Sequence, residues 1–191
     1  MGVATEKPSF TERARRAQLI DVTIEAVAEH GYAKVSLARI AESVGITKAA
    51  VLYYFRTKDA VMDAAYQFVL TALVDDVAEA VESVDAQIGP QAYVRAMVGH
   101  LREYPRHTRM LIEALGNPAH GHTPEQRWRP LADVIDTAVA ARGAHAVDSR
   151  SLAIITGGAI DAIVTECLHD PTYDSATAAE TLAQMLDAAL G

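Results

Sequence analysis

The fold of this chain is decided by residues 36–58, which read Ser-Leu-Ala-Arg-Ile-Ala-Glu-Ser-Val-Gly-Ile-Thr-Lys-Ala-Ala-Val-Leu-Tyr-Tyr-Phe-Arg-Thr-Lys. Ser36 can cap a first helix, because its hydroxyl can accept from a free amide of the first turn. Apolar residues then recur at helical spacing, at Leu37, Ile40, Ala41 and Val44. Gly45 stands where a positive φ would end that helix, and Thr47 can cap another. The stretch therefore predicts two short helices joined by a sharp turn.

The second predicted helix has an apolar side at Val51, Leu52 and Phe55. Its outer side carries one cation, two small residues and two phenols, which suit a DNA groove: Thr47, Lys48, Ala49, Ala50, Tyr53 and Tyr54. Two helices joined by such a turn form a helix-turn-helix, whose second helix enters the major groove. The alternative interpretation is a helical hairpin packed inside an all-α domain.

The stretch Gly-Ile-Thr-Lys-Ala-Ala-Val-Leu-Tyr-Tyr-Phe-Arg-Thr-Lys-Asp-Ala-Val at residues 45–61 resembles the signature of the TetR family of one-component bacterial transcription regulators. Upstream, Glu29-His30-Gly31-Tyr32, Val35-Ser36 and Ile40-Ala41 match the first helix and turn of the same family. The resemblance covers roughly residues 12–62, and beyond them only length and helical character match. It implies a regulator that binds DNA.

Composition indicates a globular chain with a sizeable core, since half of its 191 residues are hydrophobic. We expect no membrane span and no signal peptide, because no long uncharged apolar run and no N-terminal apolar region are present. The single cysteine, Cys167, cannot form an internal disulfide, which fits a reducing cytoplasm. A cytoplasmic location without a membrane partner is therefore predicted.

The net charge of −8 is unevenly distributed. Residues 1–60 carry nine Lys or Arg and seven Asp or Glu, whereas residues 61–191 carry eight basic and 18 acidic residues. A basic head can meet phosphate while the acidic body stays away from it. Because a head charge of +2 is modest, we expect that two heads bind one operator and that salt weakens binding.

The N-terminal domain is predicted at residues 1–58, as a tail and a three-helix head. Ser9 and Glu12 have capping-box spacing, and an apolar stripe ends at Gly31: Leu19, Thr23, Ala26 and Val27. Three arginines near the start of this helix oppose its dipole: Arg13, Arg15 and Arg16. They have two open interpretations, phosphate contact or a solvated helix end.

The larger C-terminal domain is predicted at residues 59–191 and is also helical. Its helices are expected near residues 57–84, 91–103, 109–115, 124–142, 149–169 and 175–190. The first of these has no Gly or Pro at its start, so it should link head and body rigidly. The whole chain is therefore predicted to be all-α.

The loop at residues 116–124 contains His120 and His122. Two imidazoles with no nearby Cys or carboxylate make a weak metal site. We therefore predict neither a bound metal nor a cofactor.

The last two helices are predicted to form the subunit interface. Residues 149–169 are nearly all apolar, so this helix must be buried on most sides. Gly157-Gly158 at its centre would lower helix propensity unless a second backbone comes close. Paired with their copies, the two helices would build the four-helix bundle of a homodimer. The candidate interface residues are Leu152, Ile155, Ala159, Ile163, Leu182, Met185 and Leu186. The alternative is that both helices are the core of a monomer.

The resemblance also implies a small-molecule effector pocket in the body. Polar or aromatic residues on otherwise apolar helices are the candidates: His100, Tyr104, His107, Met110, Glu113, Trp128, Asp161 and Thr165. Each has a plain alternative as a surface or core residue, and Asp161 could also pair across a dimer.

Roles in DNA binding follow from position and from the family motif. Backbone amides after Ser36 should meet phosphate, Lys48 should reach guanine, and Ala50 can touch a thymine methyl. The expected DNA-binding set is Ser36, Arg39, Thr47, Lys48, Ala49, Ala50, Tyr53, Tyr54 and Lys58. Leu52 stands where the family often has tyrosine, and Arg39 follows Ala38 where the family often has a basic and then an acidic residue. One phosphate or sugar contact can therefore be missing at Leu52. Arg39 can be a displaced phosphate contact or merely a solvated side chain.

These features predict a dimeric repressor that binds a palindromic operator and that a small-molecule effector releases. An enzyme is not predicted, because the sequence has no Gly-rich phosphate loop, nucleophile elbow or HExxH motif. The remaining alternative is a helical ligand-binding or scaffold protein that does not bind DNA.

Overall fold

The computed structural model describes residues 9–115, 123–143, 145 and 147–191, and in these residues every regular element is helical. The α-helices are α1 Phe10–His30, α2 Leu37–Ser43, α3 Lys48–Tyr54, α4 Lys58–Glu82, α5 Gly89–Glu103, α6 Pro105–Leu115, α7 Pro124–Arg142, α8 Ser149–His169 and α9 Ser175–Leu190. Two short 3-10 turns, Tyr32–Lys34 and Ala86–Ile88, were not expected from the sequence. The predicted all-α class is confirmed.

Helix boundaries follow from single capping residues. The Ser9 hydroxyl accepts from the amide of Glu12 at 3.2 Å, which starts α1. Gly45 has a φ of 66°, so it makes the left-handed turn after α2 that other residues adopt at a cost. The Asp174 carboxylate accepts from two amides at the start of α9. The predicted loop with His120 and His122 lies outside the described residues.

The first compact unit contains residues 9–70 and 109–115. Helices α1, α2 and α3 contact one another and form the predicted three-helix head. Their shared core is closed by fully buried apolar side chains, chiefly Leu19, Val27, Ile40 and Val51. Within the same unit, Arg109 of α6 donates to the carbonyl of Ala28, and Glu113 accepts from the amide of Tyr32.

The second compact unit contains residues 71–108, 123–143, 145 and 147–191. Helix α5 is central to it, because it packs against α7, α8 and α9. The core is apolar at Val94, Val98, Leu131, Ile135, Ile160, Ala183 and Leu190. Two buried or half-buried polar groups also tie helices together, since both the Gln91 amide and the Arg142 guanidinium donate to the carboxylate of Asp187.

Helix α8 is unusually apolar for its burial. It is long and apolar enough to cross a membrane by length and composition alone, with a mean hydropathy of 1.5 over its most apolar window. Only 22% of that window is buried within the chain, although the sequence predicts burial on most sides. Ile154 and Ile155 remain 48% and 67% exposed. The described residues of one chain therefore leave much of this helix uncovered.

Candidate nucleic-acid interface

Helix α3 is held by two apolar side chains and presents its other side outward. Val51 and Phe55 are 0% and 2% exposed and anchor the helix in the head. The Thr47 hydroxyl accepts from the amide of Ala50 at 3.1 Å, which fixes the first turn. Lys48 and Ala49 are exposed, and Ala50 is half-buried. The predicted recognition helix is thus anchored on one side and accessible on the other.

The two phenols at the end of α3 form one pair. Tyr53 is 75% exposed, whereas Tyr54 is half-buried. Their rings meet edge to face, with centroids 5.0 Å apart and planes at 89°. Because this arrangement is favourable, Tyr54 helps to hold Tyr53 in position on the surface. Leu52, where the family often has tyrosine, is 36% exposed.

Helix α2 presents its N-terminus in the way the sequence predicts. The hydroxyl of Ser36 accepts from the amide of Arg39 at 3.2 Å. The carbonyl of Arg39 accepts from the Ser43 hydroxyl at 3.0 Å, while the Arg39 side chain is exposed. The amides of the first turn carry partial positive charge, so an anion is stabilised there.

Lys58, the first residue of α4, is partly engaged inside the head. Its ammonium donates to the carbonyl of Tyr32 at 3.3 Å and lies 5.5 Å from the centroid of the Tyr32 ring. An ammonium group has three donors, so one internal bond leaves donors for a phosphate. The side chain is half-buried, which limits its freedom.

Arg16 has a role that the sequence does not predict. Its guanidinium donates to the carbonyl of Tyr54, and its central carbon lies 4.2 Å from the centroid of the Phe55 ring. Both contacts lie at the C-terminal end of α3, where a cation also complements the helix dipole. This half-buried residue therefore fits neither a phosphate contact nor a solvated helix end, because it supports α3 from within the head. Arg15 instead donates to the side chain of Gln18 at 2.8 Å.

The structure brings three of the candidate effector residues together, because the rings of Tyr104 and His107 lie 4.7 Å and 6.1 Å from the ring of His100. His100 is buried and its Nδ1 lies 2.5 Å from a carboxylate oxygen of Asp76. Tyr104 stacks on His107 with ring centroids 5.2 Å apart. Met110 is 0% exposed and is part of the core of the first unit.

The other candidates lie on surfaces of their units. Trp128 is half-buried, and the guanidinium groups of Arg129 and Arg150 lie 5.1 Å and 5.0 Å from its ring centroid. Asp161 accepts from Arg127 of the same chain at 2.6 Å, so the suggested pairing across a dimer is not needed. The exposed Thr165 donates to the carbonyl of Asp161. Glu113 is exposed and bonded to the Tyr32 amide.

The candidate interface residues are mostly accessible in the single chain. Ile155 and Met185 are 67% and 65% exposed. Four others are half-buried: Leu152, Ala159, Ile163 and Leu182. Leu186 is 3% exposed and lies in the core of its own unit, so it is unavailable to a partner.

Sequence comparisons match the head of this chain. Residues 19–65 match the model of bacterial regulatory proteins, tetR family. The HTH-type transcriptional regulator BetI of Ectopseudomonas mendocina is 34% identical over 84 residues, which are 44% of this chain and 42% of that protein. BetI of Stenotrophomonas maltophilia is 36% identical over 87 residues, 46% of this chain and 43% of that protein. The chain therefore spans less than half the length of either relative.

Solved structures match the fold over nearly the whole chain. A putative transcriptional regulator from Pseudomonas aeruginosa PAO1 has a TM-score of 0.77 at 20% identity, covering 96% of this chain and 93% of that one. A TetR transcription regulator from Haloarcula marismortui has a TM-score of 0.76 at 23% identity, covering 93% of this chain and 98% of that one. At such identities the likeness concerns the fold. Over residues 19–65, the head of this chain with its helix-turn-helix is similar to the tetR family of bacterial regulatory proteins.

Proposed function

We propose that the chain is a ligand-responsive transcriptional regulator. It binds a palindromic DNA operator as a homodimer, acts as a repressor and is released by a small-molecule effector. The observation that carries the proposal is the outer side of α3, where Lys48, Ala49 and Tyr53 are exposed while Val51 and Phe55 hold the helix in place. A short helix with an anchored back and a cationic, phenolic front suits the major groove.

Each part of the head has its own role in this proposal. The N-terminus of α2, with Ser36 and Arg39, contacts phosphate, as do Tyr53, Tyr54 and Lys58. Thr47 caps α3 and contacts phosphate or a base, and Lys48 reaches the O6 and N7 atoms of guanine. Ala49 and Ala50 allow α3 to approach the bases closely.

The exposed apolar side of α8 and α9 supports the homodimer. The side chains of Ile155 and Met185 would remain in water in a monomer. At Gly157 and Gly158, an added Cβ would meet no heavy atom within 4 Å among the described residues. A second backbone can therefore approach α8 closely at these glycines. Large exposed apolar areas commonly mark subunit contacts.

Residues 1–58 bind the operator in this proposal, and residues 59–191 bind the effector and the second subunit. An effector that prefers the conformer whose head spacing does not fit the operator would shift the population of dimers toward that conformer and so release the DNA. The effect on operator affinity equals the effect of the operator on effector affinity, because the two equilibria are linked.

The proposal is tested by selecting duplexes from a random pool with the purified chain and then measuring affinity by fluorescence anisotropy. Lys48→Ala should lose discrimination at particular base pairs, by about 1–3 kcal/mol. Lys34→Ala is the matched control, because Lys34 is also an exposed cation of the head but lies outside α2 and α3. Failure to bind any duplex at low ionic strength would refute the proposal.

A further inference from the structure

The second unit contains a cavity of about 200 Å³ that none of the predicted effector residues lines. It lies among the C-terminal end of α5, the first residue of α6, the C-terminal end of α8 and the start of α9. Most of its wall is apolar, with Val98, Leu101, Val164 and Leu168 as the larger aliphatic contributors. An apolar cavity of this kind favours an apolar occupant, since water gains few hydrogen bonds there.

Three lining residues add polar chemistry to this wall: Arg102, Cys167 and Ser175. Ser175 is 2% exposed, and its hydroxyl has no hydrogen-bond partner among the residues that the structure describes. The oxygen itself is enclosed by protein, so a bound molecule can supply the missing partner, and gain affinity, when the Ser175 side chain turns toward the cavity. Ser175 thus indicates a ligand with at least one polar atom.

Charge at the cavity argues against an ionic ligand. Arg102 lies on the wall, and the carboxylate of Asp174 is the neighbour of Ser175 in sequence. The pKa of Asp174 is lowered, mainly by hydrogen bonds from Thr177 and also by the charge of Arg102. Asp174 therefore stays ionised at neutral pH and offsets Arg102. A ligand with a net charge would meet one favourable and one unfavourable partner.

We propose that this cavity binds a small uncharged molecule with a monocyclic apolar body and one hydroxyl or carbonyl group that bonds to Ser175. The cavity is partly open to solvent, so its volume sets the size of the enclosed part of the occupant. Because a cavity of about 150 Å³ holds benzene, this part has about eight to ten non-hydrogen atoms. This inference deepens the proposed function by naming the effector class, and it rests on that function only for its biological meaning.

Cys167 provides a specific assay, because it is the single cysteine of the sequence and it lines the cavity. The full chain is treated with iodoacetamide in the presence of one probe, and the rate of alkylation is followed by intact mass. Benzyl alcohol should slow the reaction with a saturable concentration dependence. Ethylbenzene, of similar size but without the hydroxyl, should bind about fivefold more weakly. Benzoate should give no protection.

Variants separate the hydroxyl from the cavity. Ser175→Ala should abolish the preference for benzyl alcohol over ethylbenzene, whereas the control Ser83→Ala should preserve it, since Ser83 bonds to the carbonyl of Ala80 elsewhere. Leu168→Phe should fill the space and remove protection by both probes, which tests the site even if Ser175→Ala does not fold.

Three results would overturn the inference: no saturable protection in the natural chain, equal protection by benzoate, or an unchanged preference in folded Ser175→Ala. The assay contains no DNA, so its failure is distinct from a failure to bind an operator. Conversely, a chain that binds benzyl alcohol but no duplex would retain this site and lose the proposed function.

Discussion

Single residues decide where the helices of the head begin and end, and these residues could be predicted. Ser36 and Thr47 cap α2 and α3 through their hydroxyl groups, and Gly45 makes the turn between them. These signals are local, because a cap bonds to an amide only two or three residues away. The turn of the helix-turn-helix can therefore be predicted from a few consecutive residues.

Arg16 shows what local reasoning cannot find at the same scale. Its acceptor, the carbonyl of Tyr54, lies 38 residues further along the chain. Nothing near Arg16 distinguishes it from Arg13 or Arg15, which follow the same charge pattern. Only the packing of α1 against α3 identifies the arginine that supports α3.

Replacing Thr47 by alanine should weaken α3. The variant leaves the amide of Ala50 without its acceptor and should lower the stability of the head by about 1 kcal/mol. Amide exchange over residues 48–54 should become faster, which hydrogen-exchange mass spectrometry can measure. Thr137→Ala is the control, because that hydroxyl bonds to the carbonyl of Asp133 inside α7 and caps nothing. Equal exchange in both variants would contradict the capping role.

Tyr93 should make stability depend on alkaline pH. Burial raises the pKa of this phenol to about 12, from an ordinary value of 10.0. The folded state therefore holds the proton more tightly, so its contribution is complete below pH 10 and is lost as the pH rises toward 12. Tyr93→Phe should reduce this loss by about 2–3 kcal/mol, measured by urea unfolding at about pH 8 and about pH 12. If the free energy of unfolding depends on pH identically in the natural chain and in Tyr93→Phe, this role of Tyr93 is refuted.

At the scale of the element, helix type and length were predictable, whereas the surroundings of a helix were not. The apolar run of α8 correctly predicts a helix at Ser149–His169. It does not reveal which molecule covers the helix, because hydrophobic periodicity is the same for a core and for an interface. The exposure of Ile155 shows that the described residues of one chain leave this side of α8 uncovered.

The glycines of α8 permit a test with opposite outcomes. Gly157→Ala should stabilise the isolated helix by up to about 1 kcal/mol, since alanine is the better helix former. If a partner backbone lies against this position, the same methyl group should weaken dimerisation at least severalfold in sedimentation experiments. Gly99→Ala in α5 is the control, because an added Cβ there also meets no heavy atom within 4 Å in the described part of the chain. A dimer unaffected by Gly157→Ala would move the interface elsewhere.

At the scale of the whole molecule, the charge asymmetry of the sequence sets how DNA binding responds to salt. The first 60 residues carry +2 within a chain of −8, so the proposed DNA binding should depend on a few well-placed cations rather than on overall attraction. Each phosphate contact contributes about −0.9 to the slope of log affinity against log salt. The slope therefore counts contacts without a structure of the complex.

Replacing Lys58 by glutamine should reduce this slope by about 2 in a dimer, because one contact is lost from each head. The loss of affinity should be uniform across operator sequences, as expected for a phosphate contact. Lys34→Gln should leave the slope unchanged. If Lys58→Gln changes base preference instead, its ammonium contacts a base and the assignment to phosphate is incorrect.

The predictability of the two sites differs for a physical reason. The predicted DNA-binding residues lie within one short segment, so their spacing alone places them on common helix faces. A pocket in the body is assembled from distant parts of the chain, as the cavity from Val98 to Ser175 shows. A polar residue on an apolar helix can instead serve structure, and His100 does so with Asp76 of α4.

The support that Arg16 gives to α3 has a practical consequence for redesign. A seven-residue helix is too short to be stable by itself, and it depends on side chains supplied by α1. Transplanting α3 into another scaffold should therefore yield an unstable helix that discriminates little between base pairs. Hybrid regulators with new sequence preferences should exchange the entire bundle from Ser9 to Lys58, so that Arg16 and α3 are transferred together.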